Sequence, residues 1–321
     1  MVSSLLTVMT WNIWFDKTNR KTRTETLLNE IIFYNPDIVA LQEVVEESLE
    51  IIIAKMTPTY YIIGMNMHSH THSNTHYDTL ILSKYPPLQW DRYHLPKTKM
   101  GRNLLLTTLQ TPTRQIFVGT FHLESVFNRH NNLAEELKTS QLKYIYAISP
   151  MNTILMGDTN LMIDELKHQL NPKSEDQSSA SASANNHLID IYSISPCHCP
   201  QIQPSIEIEA HCLGVCPQPL SKRGLPPNDE PISRQITHLY SSVFPSDVCS
   251  LGVCPFLKGA GAGATYCGQT NKNIKNKSIQ SRLDRIYVKI LRNSLKVHFY
   301  GLTGTFTQPS DHFGVFSQIE I

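Results

Sequence analysis

The chain predicts an α/β fold in which helices cover mixed sheets, and three observations predict it. Short apolar, β-branched runs alternate with longer stretches whose apolar residues recur at helical spacing. The short runs repeatedly end in a polar side chain, as at Asn12, Glu43, His122 and Asp158. The 321 residues are 40% hydrophobic with a net charge of +1, enough for a sizeable core and no sign of bulk attraction to nucleic acid. Any basic surface must therefore be local.

Residues 5–11 read as a buried strand that delivers Asn12 at its end. Within 24–34, Leu27, Leu28, Ile31 and Ile32 stand at helical spacing, and Asn35-Pro36 stops the helix. A second strand at 37–41 carries Gln42 and Glu43. Glu43 can cap a helix over 46–55, or stand where an oxygen-liking cation such as Mg²⁺ binds. Residues 60–63 form another strand, followed by a low-complexity surface loop holding His68, His70, His72 and His76. Strands at 77–83 and 104–109 follow as a further pair. Between them Lys97, Lys99 and Arg102 are either solvated or in contact with phosphate. A strand at 115–121 leads into His122-Leu123-Glu124-Ser125, and 132–149 is an amphipathic helix.

The stretch T-I-L-M-G-D-T-N-L-M at 153–162 anchors the chemistry. Residues 153–156 suit a buried strand, Gly157 breaks it, and Asp158 and Asn160 follow two residues apart. On extended backbone both side chains share one face, as one polar site or as a turn cap. After about residue 172 the character changes. A Ser/Ala/Asn tract occupies 178–186, ten of the 19 prolines lie between Pro196 and Pro255, and all seven cysteines lie between Cys197 and Cys267. Residues 196–264 read as a loosely structured insertion, or else as a metal module on Cys197, His198, Cys199, His211, Cys212 and Cys216. Order resumes in a strand at 283–288 with Asp284 near its start, and in the polar cluster Ser310-Asp311-His312 against a final strand. The N-terminus lacks the basic and apolar regions of a secretory signal, and no apolar run reaches a membrane-spanning length. Cysteine-free flanks suit a reducing nucleus or cytoplasm.

Six motifs stand in order: W-N-I at 11–13, L-Q-E-V at 41–44, H-L-E-S at 122–125, G-D-T-N-L at 157–161, L-D-R-I at 283–286 and S-D-H at 310–312. With them the chain resembles the endonuclease/exonuclease/phosphatase superfamily over roughly 1–170 and 281–321. K-M-G-R-N-L-L at 99–105 brings it nearest to the branch that removes 5′-phosphotyrosyl adducts from DNA. The resemblance implies a four-layer sandwich of two packed sheets flanked by helices, forming one catalytic domain over 1–321 interrupted at about 196–264. It also implies Mg²⁺-dependent phosphodiester hydrolysis, with Mn²⁺ able to substitute. Glu43 would be the main metal ligand, with Asp311 in support. Asp158 would orient and deprotonate water, and Asn12 and Asn160 would hold water and phosphate in line. His312 would donate to phosphate as an imidazolium held by Asp284. His122 and Ser125 would contact phosphate, Tyr77 would stand near the scissile group, and Arg102 would shape the site.

Two departures bear on DNA binding: Met162 stands where a basic residue is expected, and Tyr266 is the candidate for a stacking tryptophan. The partner implied is DNA with a 5′-blocked, single-stranded or overhanging end, handled by a monomer whose insertion offers a surface to a protein partner. Another superfamily activity, on abasic DNA, RNA tails or a phospholipid headgroup, and a non-catalytic scaffold remain the alternatives.

Overall fold

The computed structural model describes residues 5–64, 77–125, 132–161, 186–190, 265–267, 271–276, 280–291, 296–304 and 307–320. The histidine tract, Met162 and the expected insertion at 196–264 lie outside them. In chain order the elements begin with β1 (Leu5–Asn12), α1 (Arg20–Tyr34), β2 (Ile38–Val44), α2 (Glu46–Met56), β3 (Tyr61–Ile63) and β4 (Asp78–Ser83). Next come β5 (Pro87–His94), β6 (Asn103–Gln110), β7 (Gln115–His122), α3 (Asn132–Ile148) and β8 (Thr153–Asp158). The remainder are β9 (Asn186–Asp190), β10 (Tyr266–Cys267), β11 (Gln280–Ser281), β12 (Asp284–Leu291), β13 (Lys296–Thr303) and β14 (Gly314–Glu320).

Two six-stranded sheets result, ordered β13-β14-β1-β2-β4-β3 and β5-β6-β7-β8-β12-β9, beside a two-stranded β10-β11 ribbon. Each large sheet is mixed for one reason: a helix crossover makes β1 parallel to β2, and another makes β7 parallel to β8. Alternation along the strands then sorts side chains into layers. Leu6, Val8, Ile38, Ala40 and Ile81 of the first sheet meet Leu105, Val118, Ile154, Met156 and Ile286 of the second in one buried cluster. The intervening residues Met9, Trp11, Val39, Leu41, Leu80 and Leu82 point outward to Leu27, Leu28 and Ile31 of α1 and Leu49 and Ile52 of α2. On the far side Leu104, Phe121, Leu155 and Tyr287 pack on Leu142 and Ile145 of α3. Helix, sheet, sheet, helix is the four-layer order expected.

Several local expectations are corrected. The strands over 77–83 and 104–109 are not partners: β4 pairs with β2 and β3, whereas β6 pairs with β5 and β7. The missing element was β5, an edge strand with no fully buried residue, in which the apolar alternation of Leu88 and Trp90 stops at Arg92. Ile32 is exposed rather than part of the core face of α1. Gly157 does not break its strand but lies within β8, paired with Phe121. A Cβ there would sit 2.0 Å from the Phe121 carbonyl oxygen, so the close approach of the two parallel strands requires glycine. Finally, β9 lies in the stretch where the ordered pattern seemed lost, paired antiparallel with β12.

Candidate active site

The alternation that builds the core also builds the site. On β1 the inward positions run Leu6, Val8, Thr10 and then Asn12; on β7 they run Ile116, Val118, Thr120 and then His122. On β8 Ile154 and Met156 lead to Asp158, and on β12 Asp284 precedes Ile286 and Val288. The strand register lines these residues up: His122 stands beside Asp158, and Asp158 beside Asp284. Asn12 stands beside Gln42 in the facing sheet. Where the inward row stops being apolar, at one end of the gap between the sheets, polar side chains from both meet. Asn12 Nδ2 donates to Asp158 Oδ2 at 3.0 Å, and Gln42 Nε2 donates to Thr120 Oγ1 at 3.0 Å, so each sheet is tied to the other at this rim.

Glu43 breaks the parity. Following the inward Gln42, it should point to the helix layer. A register shift between Leu41 and Val44 and a left-handed φ of 62° at Glu43 turn it into the site instead. There Oε1 accepts from Asn12 Nδ2 at 3.1 Å and Oε2 from the Phe15 amide at 2.9 Å. The alternative use of Glu43 as a helix cap is excluded, since the N-cap of α2 is Val45 without a side-chain bond. Burial pushes its carboxyl up, against the pull of these two donors.

His312 is fixed from several directions. Its Nδ1 hydrogen-bonds Asp284 Oδ2 at 2.7 Å, its amide donates to Ser310 Oγ, and its carbonyl accepts from Trp11 Nε1 at 3.1 Å. Ser310 Oγ in turn donates to the Asn12 carbonyl at 2.6 Å. Burial disfavours charge on the ring, yet the Asp284 and Asp158 carboxylates lift His312 well above its ordinary range, so it is an imidazolium at neutral pH. Its Nε2 lies 3.9 Å from Asp158 Oδ2.

His122 is the opposite case. Arg102 Nη1 lies 2.7 Å from its Nδ1; a guanidinium only donates, so Nδ1 accepts and Nε2 carries the hydrogen. Burial and the Arg102 charge hold this imidazole well below its ordinary range, hence neutral. Its Nε2 is 3.4 Å from Asp158 Oδ2. Asp158 Oδ2 therefore faces two imidazole nitrogens and the Asn12 side-chain amide. Burial opposes its ionisation, but His122, His312 and Asn12 hold the carboxyl below its usual range.

Arg102 is only 4% exposed, not part of a solvated basic loop, and its position is set by Glu124. Glu124 accepts from Thr98 Oγ1 at 2.8 Å and from the Lys99 and Met100 amides, while Thr98 Oγ1 accepts from the Arg102 amide. Tyr77 lies under the Arg102 guanidinium at 5.2 Å and 6.4 Å from the His122 ring.

Other expected residues sit differently. β8 ends at Asp158 and Asn160 has a left-handed φ of 50°, so the extended-backbone argument for a shared face fails. The Asn160 amide caps Asp158 Oδ1 at 2.8 Å, and its side chain donates to the Leu123 carbonyl at 3.1 Å. Tyr266 packs against His312, ring centroids 5.1 Å apart. Ser125 is partly buried just beyond β7. Asp311 is pushed up to about 7, by burial first and then by Glu43, Asp158 and Asp284, against His312. Gln42, Glu124 and Ser310 were not singled out beforehand. The quoted motifs contained all three, and only the folded contacts separate them from their neighbours.

Ligand atoms of Asp158, Asp284 and His312 lie within 4.8 Å of one another, a buried group that could hold a metal ion. Its His312–Asp284 contact, however, is already an ion pair. Glu43 and Asp311 offer hard oxygen atoms whose negative charge is electrostatically disfavoured as they stand, which suits a hard divalent cation such as Mg²⁺.

The model of the Endonuclease/Exonuclease/phosphatase family matches residues 9–312. Among curated relatives, tyrosyl-DNA phosphodiesterase 2 of Rattus norvegicus is 32% identical over 168 residues, covering 51% of this chain and 44% of the relative. The Homo sapiens protein of the same name is 26% identical over 220 residues, covering 65% and 55%. A solved structure of the Danio rerio tyrosyl-DNA phosphodiesterase 2 complexed with single-strand DNA product matches with a TM-score of 0.62 at 19% identity, covering 98% of this chain and 99% of that one. The chain spans about half the length of the curated relatives it matches.

Proposed function

The chain belongs to the Endonuclease/Exonuclease/phosphatase family, and from that premise we propose that it is a metal-dependent phosphodiesterase that removes tyrosyl adducts from DNA 5′ ends. One observation carries the reading. An ionised, buried Asp158 is flanked by a charged imidazole fixed by Asp284 and a neutral imidazole fixed as its Nε2–H form by Arg102. A base for water beside two N–H donors is the equipment that phosphodiester hydrolysis needs.

A phosphate seated between His122 and His312 would accept from both Nε2–H groups, and the imidazolium would offset charge developing on its oxygens. Asp158 would orient the attacking water and take its proton while Asn12 holds that carboxylate in place. Glu43, with Asp311 beside it, would hold Mg²⁺, or Mn²⁺ in its place. When bound, the ion supplies Lewis-acid neutralisation of a phosphate oxygen. Ser125 would add a phosphate contact. Water attacks phosphorus as the P–O bond to the adduct breaks. A tyrosyl oxygen leaves readily as phenolate, the free phenol having a pKa of about 10.

Relatives that are tyrosyl-DNA phosphodiesterases support the tyrosyl substrate, and the near-neutral net charge suits a narrow groove for a single-stranded end better than wide duplex wrapping. Such a substrate implies work in the nucleus or cytoplasm. The matched span also agrees with one catalytic domain, in which 196–264 would be an insertion available to a protein partner. The test is kcat/KM on a 5′-phosphotyrosyl single-stranded oligonucleotide against an internal abasic site in duplex DNA, at one salt concentration. The tyrosyl end should be preferred; preference for the abasic duplex would assign another activity of the family.

A further inference from the structure

Loop 13–18, between β1 and α1, holds an exposed aromatic ring under tight control. Phe15 is 46% exposed, yet its backbone is fixed at both ends. Its amide donates to Glu43 Oε2, and its carbonyl accepts from Arg20 Nη2. The Arg23 guanidinium donates to the carbonyls of Ile13, Trp14 and Asp16 and lies 4.4 Å over the Trp14 ring, itself in left-handed backbone. The ring stacks on Tyr77 with centroids 4.9 Å apart and planes 19° from parallel. Beyond Tyr77 come Arg102 at 5.2 Å and His122 at 6.4 Å, which border the same cleft as Tyr77, Met100 and Gly101. An aromatic wall thus runs from the phosphate-facing imidazole out to solvent.

We propose that Phe15, stacked on Tyr77, is a binding platform for a planar aromatic group attached to the scissile phosphate. Stacking needs a preorganised ring with an open surface, and the double clamp on the Phe15 backbone provides it beside the catalytic groups. The inference rests on the reading of the site as a phosphodiesterase. The aromatic group has two sources, the phenol ring of the adduct and the first nucleobase, which share the same flat π-surface.

The experiment compares wild type and Phe15→Ala, in Mg²⁺, on three single-stranded substrates: a 5′-phosphotyrosyl oligonucleotide, the same with an abasic first nucleotide, and the same with a methyl ester replacing tyrosine. Circular dichroism verifies that the variant folds. Phe15→Ala should lower kcat/KM on the first substrate roughly tenfold. Phe15→Trp should restore it and Phe15→Leu should not, because a merely apolar cover would be met by leucine. Loss that vanishes on the abasic substrate assigns the platform to the base; loss that vanishes on the methyl ester assigns it to the phenol. Equal loss on all three, or none on any, overturns the proposal. If wild type leaves the tyrosyl end intact but cleaves thymidine 5′-(p-nitrophenyl phosphate), the tyrosyl-adduct reading fails alone. The Phe15 ratio is then read on that ester against its methyl analogue by the same criterion.

Discussion

Replacing Asp284 with asparagine keeps the size of a fully buried side chain and removes one charge. His312 Nδ1 then faces an amide where it had a carboxylate at 2.7 Å. Gross attraction at that distance is about 6 kcal/mol for an effective dielectric of about 20. Desolvation of both ions offsets part of it, and breaking a buried pair costs about 3–5 kcal/mol. Taking about 3 kcal/mol as the lost preference for the imidazolium, kcat near pH 7 should fall roughly a hundredfold. His312 owes its elevated range to Asp284 and Asp158, so the variant imidazole titrates lower, while burial still opposes its charge. Turnover of the 5′-phosphotyrosyl oligonucleotide from pH 5 to 9.5 is the assay. The alkaline limb of the kcat profile should move to lower pH in Asp284→Asn, with partial recovery in acid. A loss under tenfold with the alkaline limb unmoved would refute the assignment of His312 as a charged donor held by Asp284.

Three further outcomes follow from the geometry. Glu43→Gln should fold normally but lose most activity, about a hundredfold or more, and should no longer gain thermal stability when Mg²⁺ is added; full wild-type turnover in excess EDTA would remove the metal from the account. Asp311 is raised from 3.8 to about 7, so the folded state binds its proton more tightly than the unfolded one, and the stabilisation present below the unfolded value is lost as pH rises through 7. In EDTA, Asp311→Asn should therefore raise Tm by roughly 3 °C or more at pH 8 and change it little at pH 4.5, as read by thermal unfolding. Gly157→Ala should cost on the order of 3 kcal/mol in denaturant unfolding, because its Cβ meets the Phe121 backbone; a silent substitution would mean that β7 and β8 can separate freely.

How much of this was legible beforehand depended on the range of the physics involved. Apolar alternation is local, and it placed most strands and the polar residues that end them, Asn12, His122 and Asp158 among them. It failed for β5, a half-exposed edge whose apolar alternation is too short to read, and for Gly157, whose meaning lies in a carbonyl on another strand. It also misdirected the account of Asn160, which a left-handed turn removes from the extended pattern. Glu43 was chosen for its chemistry, but its direction comes from a bulge that L-Q-E-V does not announce. The resemblance already implied an imidazolium at His312 held by Asp284, but nothing in the sequence marked His122 as its neutral counterpart, and the two states have separate sources. They arise from partners 20 and 28 residues away, Arg102 in one case and Asp284 in the other.

The rim where the sheets are tied by Asn12 and Gln42 has a consequence for how the molecule can change. Asn12 and Glu43 belong to one slab, and His122, Asp158 and Asp284 to the other. The proposed reaction centre is therefore a seam, and its fit depends on the two slabs keeping their alignment. A slide of one over the other by a single ångström would part Asn12 from Asp158 before any strand came undone. Variation is safest at the opposite end of the sandwich, in turns such as the one closed by Thr111 and Arg114, where lengthening a loop leaves the seam aligned.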